Sequence, residues 1–430
     1  MVDAVFISIL GLFAITLVVI MFEKVNETAA TLFSMCLAGA ILVIGGVQVN
    51  GEAITFPRFI SLIEWDTILF ITSMMIIVSF SASSGMFQYI ALLLITRTGG
   101  EPRKIFTVFM GFVFVLSLFL DPLPTMLVLG PFTVEVSRAL EMNLKGLLVS
   151  EVIVANFASF PSVVGSVPNL LIVFWAGISP VEMFVMLFPL SILLLFVTIP
   201  LLRRFFGGSM VDLEKYDPGP LLMIEPSNMI RSRNDFYMSS FGMALMILGF
   251  VVIPYEVTFV SLAVASLMLA FSHARAKSFL GKLSWDTVFF LIGLFGLVTA
   301  LEVSGVITAA NDAMTAVIGG SPFIGILLMI WIPGFVLSVI DNIPVAAFLS
   351  PMAVNLGNIS RVVPVSLVIG ANVGGYMIPF GDAPNMIVVS LCRENFQPLS
   401  FKEFTKITLQ LGIVHLIIST VYCFILALFI

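Results

Sequence analysis

The chain has 430 residues, of which 60% are hydrophobic and only 10% charged, with a net charge of −6. A mean hydropathy of +1.17 cannot make a soluble surface, and apolar runs of span length recur, so the sequence reads as a multi-pass membrane protein. No basic tract suggests a nucleic-acid partner, two histidines are too few for a histidine-built metal centre, and Cys36, Cys392 and Cys423 lack metal-ligand spacing.

In chain order, spans are predicted at 4–22, 29–47, 67–82, 146–176, 183–202, 238–254, 257–272, 286–301, 362–392 and 404–429. The first has neither a basic leader nor a small-residue cleavage site, so it reads as a span and not as a signal peptide. Two further apolar regions, 105–138 and 321–358, are interrupted by D-x-x-P segments at Asp121 to Pro124 and Asp341 to Pro344. The second arm of the first region covers only about 20 Å at helical rise, against roughly 30 Å of hydrocarbon, so it can dip in and return but hardly cross. With both regions read as re-entrant hairpins, 17 of the 19 Lys and Arg residues fall on one side, leaving Arg58 and Arg361 on the other. That bias makes the crowded side cytoplasmic and puts both termini outside a plasma membrane. The predicted fold class is an all-α polytopic membrane protein, with two inverted repeats of five spans plus one re-entrant hairpin each and two broken helices. The repeats would occupy 1–202 and 238–430, joined by a Gly- and Pro-containing cytoplasmic linker at 203–237.

The repeat is visible as sequence. Trp65-Asp66-Thr67 returns as Trp285-Asp286-Thr287, Ser84-Gly85 as Ser304-Gly305, and Pro131 as Pro351, all at an offset of 220. After a four-residue slip, Ala155-Asn156 matches Ala371-Asn372, and the G-x-x-P-N of Gly165 to Asn169 matches Gly381 to Asn385. Duplicated halves with Pro, Gly, Asn and Asp at mid-segment point to a transporter binding site at the repeat interface.

Four breaks carry the polar residues: the two hairpin tips, and the stretches Pro161 to Asn169 and Pro379 to Asn385. Backbone that leaves helical geometry at membrane depth must line a cavity or be buried in protein. Each break leaves one half-helix ending in carbonyls and another starting in N–H groups, ends suited to cations and to anions or polar solutes respectively. Asp121, Asp341, Asp382 and Glu151 sit at or beside the breaks with no base inside the membrane near them. Such carboxylates are functional candidates by default. Without fixed cations, the site suits a metal cation, a proton or a neutral solute, and suits a polyanion poorly unless co-bound cations screen it. Glu151 has no acidic counterpart, since Leu367 holds the matching place, so Glu151 and Asp382 are read as proton-coupling residues. The bland reading of Asp121 and Asp341 is helix capping, which does not exclude a transport role. His415 reads as hydrogen-bonded packing.

The run Ser150-Glu151-Val152, Ala155-Asn156 and Gly165-Ser166-Val167-Pro168-Asn169 resembles the S-E-V … N-I-G-G … G-D-P-P-N signature of the ion-transporter superfamily. The likeness is nearest its arsenite-permease and sodium/proton-antiporter type, with a citrate-transporter-like domain. Leu120-Asp121 and Asp341-Asn342-Ile343-Pro344 resemble the family's L-D-N hairpin tips. Ala371-Asn372-Val373-Gly374-Gly375 with Gly381-Asp382-Ala383-Pro384-Asn385 is similar to its second signature. The resemblance implies a secondary carrier with no cofactor beyond a coupling H+ or Na+, working on a small inorganic or organic solute among membrane lipid, and leaves a homodimer open. Relatives are associated with arsenite, sodium/proton exchange, citrate or dicarboxylates. The implied contacts are Asp121, Thr125, Asn156, Ser159, Gly165, Ser166 and Asn169 in the first half. In the second they are Asp341, Asn342, Asn372, Gly374, Gly375, Gly381, Asp382 and Asn385, with any Na+ near Asp341, Asn342, Asn372 and Asp382. The first half departs from the pattern: Phe157-Ala158-Ser159 stands for N-I-G-G, Ser166 for the Asp of G-D-P-P-N, and Pro122 for the tip Asn. Ion binding is therefore expected to lean toward the second half.

The favoured function is arsenite efflux or cation/proton exchange, ahead of sodium-coupled citrate or dicarboxylate transport. An enzyme is disfavoured: Asp382 follows Pro379-Phe380-Gly381, not the G-x-G-D form of membrane aspartyl proteases, and no H-E-x-x-H occurs. A channel lacks N-P-A tips.

Overall fold

The computed structural model describes residues 2–21, 25–49, 51–206, 218–253, 256–272, 275–281 and 283–430. Much of the expected linker, 207–217, lies outside the described residues, as does Lys282. The chain opens with α1 (Val2–Met21) and α2 (Glu27–Ile44), then a small β-hairpin and the short α3 (Phe56–Ser61). There follow α4 (Trp65–Ser84), α5 (Met86–Thr96), α6 (Pro102–Ser117), α7 (Pro122–Ala139), α8 (Leu144–Ala158), α9 (Val167–Ala176) and α10 (Pro180–Phe206). After α11 (Gly219–Leu222) come α12 (Arg233–Val252), α13 (Val257–Ser272) and α14 (Ala276–Leu280). The chain closes with α15 (Trp285–Val303), α16 (Val306–Ile318), α17 (Pro322–Trp331), α18 (Asn342–Leu356), α19 (Val362–Met377), α20 (Ala383–Glu394) and α21 (Phe401–Leu426). Seven of these (α1, α2, α4, α10, α12, α15 and α21) are long and apolar enough to cross a membrane. The three other expected crossings are α13 and the interrupted pairs α8–α9 and α19–α20. The fold is all-α and polytopic.

Each repeated motif does the same structural job twice. The indole N–H of Trp65 donates to the carbonyl of Ile60 at 2.9 Å, and that of Trp285 to Leu280 at 3.0 Å, tying α4 and α15 to the short helices before them. Gly85 and Gly305 each take φ +82°, the left-handed region that favours glycine, and let α5 and α16 turn off the ends of α4 and α15. The motif aspartates meet the opposite half: Thr258 donates to the Asp66 carboxylate at 3.0 Å, and Thr28 to the Asp286 carbonyl at 3.1 Å.

Packing is crosswise in the same sense. The α2 helix lies on α15 while α13 lies on α4, and α9 packs on α18 while α7 packs on α20. Each half therefore supplies the neighbours of the other, and much of the apolar core lies between them.

Two details differ from the sequence reading. The first is the pair α5 and α16, helices of 11 and 13 residues across stretches where no element was expected. The second is α7, which begins at Pro122 and so includes both tip prolines. First-turn N–H groups have no helical partner, so proline there costs no bond.

Candidate transport site

The tips and broken spans meet. Asp121 caps α7, its Oδ1 accepting from the Leu123 N–H at 3.0 Å, while its Oδ2 accepts from the Val167 N–H at 3.3 Å. One carboxylate thus holds the starts of α7 and α9 together. Asp341 caps α18 through the Ile343 N–H at 2.9 Å. Asp382 precedes α20, and the Asn342 side chain reaches its carboxyl group. The three aspartates interact electrostatically.

The breaks are built alike. Asn169 Nδ2 donates to the carbonyls of Ser159 and Ser162, ten and seven residues back, at 2.8 and 2.9 Å. Asn385 Nδ2 does the same to Gly375 and Ile378, at 2.8 and 2.9 Å. Each asparagine sits in the first turn of the second half-helix and occupies carbonyls that the unwound backbone leaves unpaired. A Cβ on Gly165 would lie 2.5 Å from the Ser117 carbonyl oxygen, and one on Gly381 2.6 Å from that of Gly375, so backbone fills the space a side chain needs. Gly374 and Gly375 are close in the same way, the first against the Pro333 carbonyl and the second against Asn342.

The two halves then diverge. Asn156 and Asn372 occupy matched places, and each gives an N–H to the carbonyl four residues back, Val152 and Val368. Asn372 also crosses to the first half. Its Oδ1 accepts from Ser166 at 2.8 Å and more distantly from Ser159 at 3.5 Å, and its Nδ2 donates to Asn169 Oδ1 at 2.7 Å. Asn156 has no such set: its Oδ1 is buried without a hydrogen-bond partner among the described residues, as are Asn385 Oδ1 and Thr125 Oγ1. Sequence explains the difference. The hydroxyl of Ser166 supplies the donor for Asn372, whereas the matching position holds Asp382, which when ionised only accepts.

A cavity of about 320 Å³ opens onto these groups. Asp121, Ser166, Asp341, Asn342 and Asp382 line its polar side, and among the described residues no Lys, Arg or His lines it. Its apolar side is Phe70, Ile71, Met74, Met75 and Val78 of α4, which the uniformly apolar run of that helix gave no reason to single out. Leu283, Ser284 and Thr287 at the start of α15 complete it. A larger recess of about 560 Å³, lined by Arg97, Arg103, Lys104 and Arg203, includes none of the break residues and is set apart from this chemistry.

Glu151 is fully buried on α8, with the Thr133 hydroxyl of α7 donating to its Oε1 and Oε2 unpartnered among the described residues. Thr133 gave no signal in the sequence. His415 lies between Thr198, 2.7 Å from Nε2, and Tyr376, 2.5 Å from Nδ1, which is the packing role expected.

The family model described as "Citrate transporter" matches residues 17–365. The chain belongs to the citrate transporter family. It is 27% identical over 420 residues to the 46 kDa membrane protein of Mycobacterium leprae, across 95% of this chain and 96% of that one. An uncharacterized transporter of Mycobacterium tuberculosis is also 27% identical, across 96% of each chain. Among solved structures, the YdaH transporter of Alcanivorax borkumensis superposes with a TM-score of 0.61 at 12% identity, across 93% of this chain and 98% of that one. This member of the family is a multi-pass membrane transporter and not an enzyme.

Proposed function

We propose that the chain is a secondary carrier, coupled to H+ or Na+, that performs arsenite efflux or cation/proton exchange through the acid-lined cavity. The observation that carries this reading is a cavity lined by three aspartates and, among the described residues, by no base. Such a site favours a cation or an uncharged oxo-acid and repels an unscreened polyanion. The halves are taken as inverted repeats, each with a re-entrant hairpin, consistent with their crosswise packing. Both termini are then outside.

Coupling follows from the divergence between the halves. The Asn156 and Asn385 oxygens need either a cation or a donor proton, and Asp382 supplies the second only when protonated. Na+ would draw on Asp341, Asn342 and Asp382 with these amide oxygens, while Asn372 is already engaged. On this reading Glu151, joined to the hairpin arm through Thr133, carries a proton in step with hairpin movement.

A second reading, sodium-coupled transport of citrate or a dicarboxylate, is favoured by the description of the family model and requires cations to screen the aspartates. Flux into everted proteoliposomes separates the two. Arsenite uptake driven by a proton gradient, or sodium-dependent collapse of that gradient, supports the first; citrate or succinate accumulation with neither supports the second. Asp382→Asn and Asp341→Asn should abolish coupled flux while expression persists.

A further inference from the structure

A second, nearly filled hollow repeats part of the acid cavity's lining. It measures about 10 Å³ and is lined by Glu64, Phe295, Val298, Thr299 and Ala347, with Leu171 and Trp175 of α9. Shifted by 220, the first five become Ser284, Met75, Val78, Ser79 and Leu127, and every one of those lines the acid cavity. Five of its seven lining residues agree in register, which two unrelated hollows would not do. The smaller is thus the acid cavity with the roles of the halves exchanged: the start of α4 and end of α15 replace the start of α15 and end of α4.

The volumes differ by what fills them. Leu171 and Trp175 correspond, at the offset of 216, to Ile387 and Leu391 on α20, and neither of those lines the acid cavity. In one half the half-helix after the break sits in the hollow; in the other it stands back. The remaining room, about 10 Å³, holds at most about one water molecule and is too little for a solute.

We propose that the hollow at Glu64 is the second mouth of the transport path, shut in this structure by Trp175 and Leu171, and that it receives the same cation or uncharged oxo-acid as the acid cavity when the two exchange states. The proposal rests on the carrier reading and adds where the path meets the opposite face and which residues close it. Glu64 interacts there with Glu302 and Asp66, so an arriving cation meets negative charge at this mouth as it does at the tips. On the inverted-repeat reading the two mouths face opposite sides of the bilayer.

The test uses a matched pair of small residues. Ser79, half-buried in the acid cavity, and Thr299, 5% exposed in the closed hollow, are replaced one at a time by cysteine in a Cys36→Ser background and probed with a membrane-impermeant maleimide in vesicles of each orientation. S79C is expected to react from one face and T299C from neither. Adding Trp175→Ala should expose T299C to the face opposite to the one S79C uses, with loss of S79C labelling. T299C labelling from the same face as S79C, or none at all in a W175A protein that elutes as a folded species, overturns the proposal. Should W175A not fold, Leu171→Ala takes its place with the same outcomes. Labelling needs no known solute, so its result is separable from flux. Face-switching without flux of sodium, arsenite or citrate would refute the carrier reading alone, and gradient-coupled flux with T299C permanently unreactive would refute this proposal alone.

Discussion

Asn156 and Asn372 hold matched places, yet the structure assigns them opposite consequences on deletion. Asn372→Ala removes the acceptor for Ser166 Oγ and the donor for Asn169 Oδ1, both fully or almost fully buried, so two polar atoms lose their partner at once. A buried polar group left unsatisfied costs about 1–3 kcal/mol, which puts N372A at about 2–6 kcal/mol of destabilisation from this source. Asn156→Ala strands nothing comparable, because its one hydrogen bond goes to the Val152 carbonyl within its own helix and its oxygen has no partner to lose. Its polar cost is about 1 kcal/mol or less. The cavity left behind is the same side chain in both cases, so it cancels in the comparison. Urea or SDS unfolding of the detergent-solubilised variants, followed by circular dichroism, reads the difference. N156A should unfold close to the parent yet lose ion-coupled flux, and N372A should unfold early. Adding Ser166→Ala to N372A should recover about 1–2 kcal/mol by removing one stranded hydroxyl. Equal destabilisation by N156A and N372A, or full coupled flux in N156A, would refute the reasoning.

Asp382→Ser gives the second break the hydroxyl that the first possesses, so it should satisfy Asn156, raise stability by about 1 kcal/mol and abolish ion dependence of unfolding; an unchanged sodium or proton response would count against the coupling scheme. Glu151→Gln retains an acceptor for Thr133, so folding should persist while the pH profile of transport moves, and an unmoved profile removes Glu151 from proton coupling. Burial, then the Glu302 and Asp66 carboxylates, push the Glu64 carboxyl at the start of α4 from 4.5 up to about 7. Between those values the unfolded chain has lost a proton that the folded chain keeps, so the stability from this group is present below about pH 4.5 and lost as pH rises through about 7. Glu64→Gln should flatten that part of the stability–pH curve, measured by thermal unfolding from pH 4 to pH 8, and a curve of unaltered slope would show that Glu64 titrates normally.

The breaks were legible because they need residues that a helix avoids. Pro161, Pro168, Pro379 and Pro384, with the glycines between, mark positions where a span cannot continue, and helices end at Ala158 and Met377 just before them. The pairing of the halves was legible from Trp65-Asp66-Thr67 and its copy, since each tryptophan ties its helix to the short helix before it and each aspartate meets a threonine of the opposite half. What stayed hidden was apolar. Apart from Ser79 and Ala82, the α4 wall of the cavity is Phe, Ile, Met and Val, types that a lipid-facing or core position would hold equally well. Thr133 was hidden for another reason: a lone hydroxyl in a helix usually bonds its own backbone, and only the fold brings it to Glu151.

The departures of the first half from the family pattern acquire a physical meaning once both halves are seen together. Ser159 and Ser166 look like losses of a glycine and an aspartate when the motif is read alone. In place, the Ser166 hydroxyl fastens Asn372, and with it α19, to the first break, while that of Ser159 donates to the Asn156 carbonyl within it. A site locked by neutral donors has no reason to change its occupancy with ion concentration. The second break keeps Gly375 and Asp382, cannot lock Asn156 in the same manner, and leaves buried amide oxygens to be satisfied from outside the chain. On the proposed coupling, one duplicated frame contains a fixed joint and an ion-sensitive one. A carrier needs both: a rigid contact to keep the broken spans registered, and a contact whose energy depends on the ion, so that the ion decides which arrangement is populated.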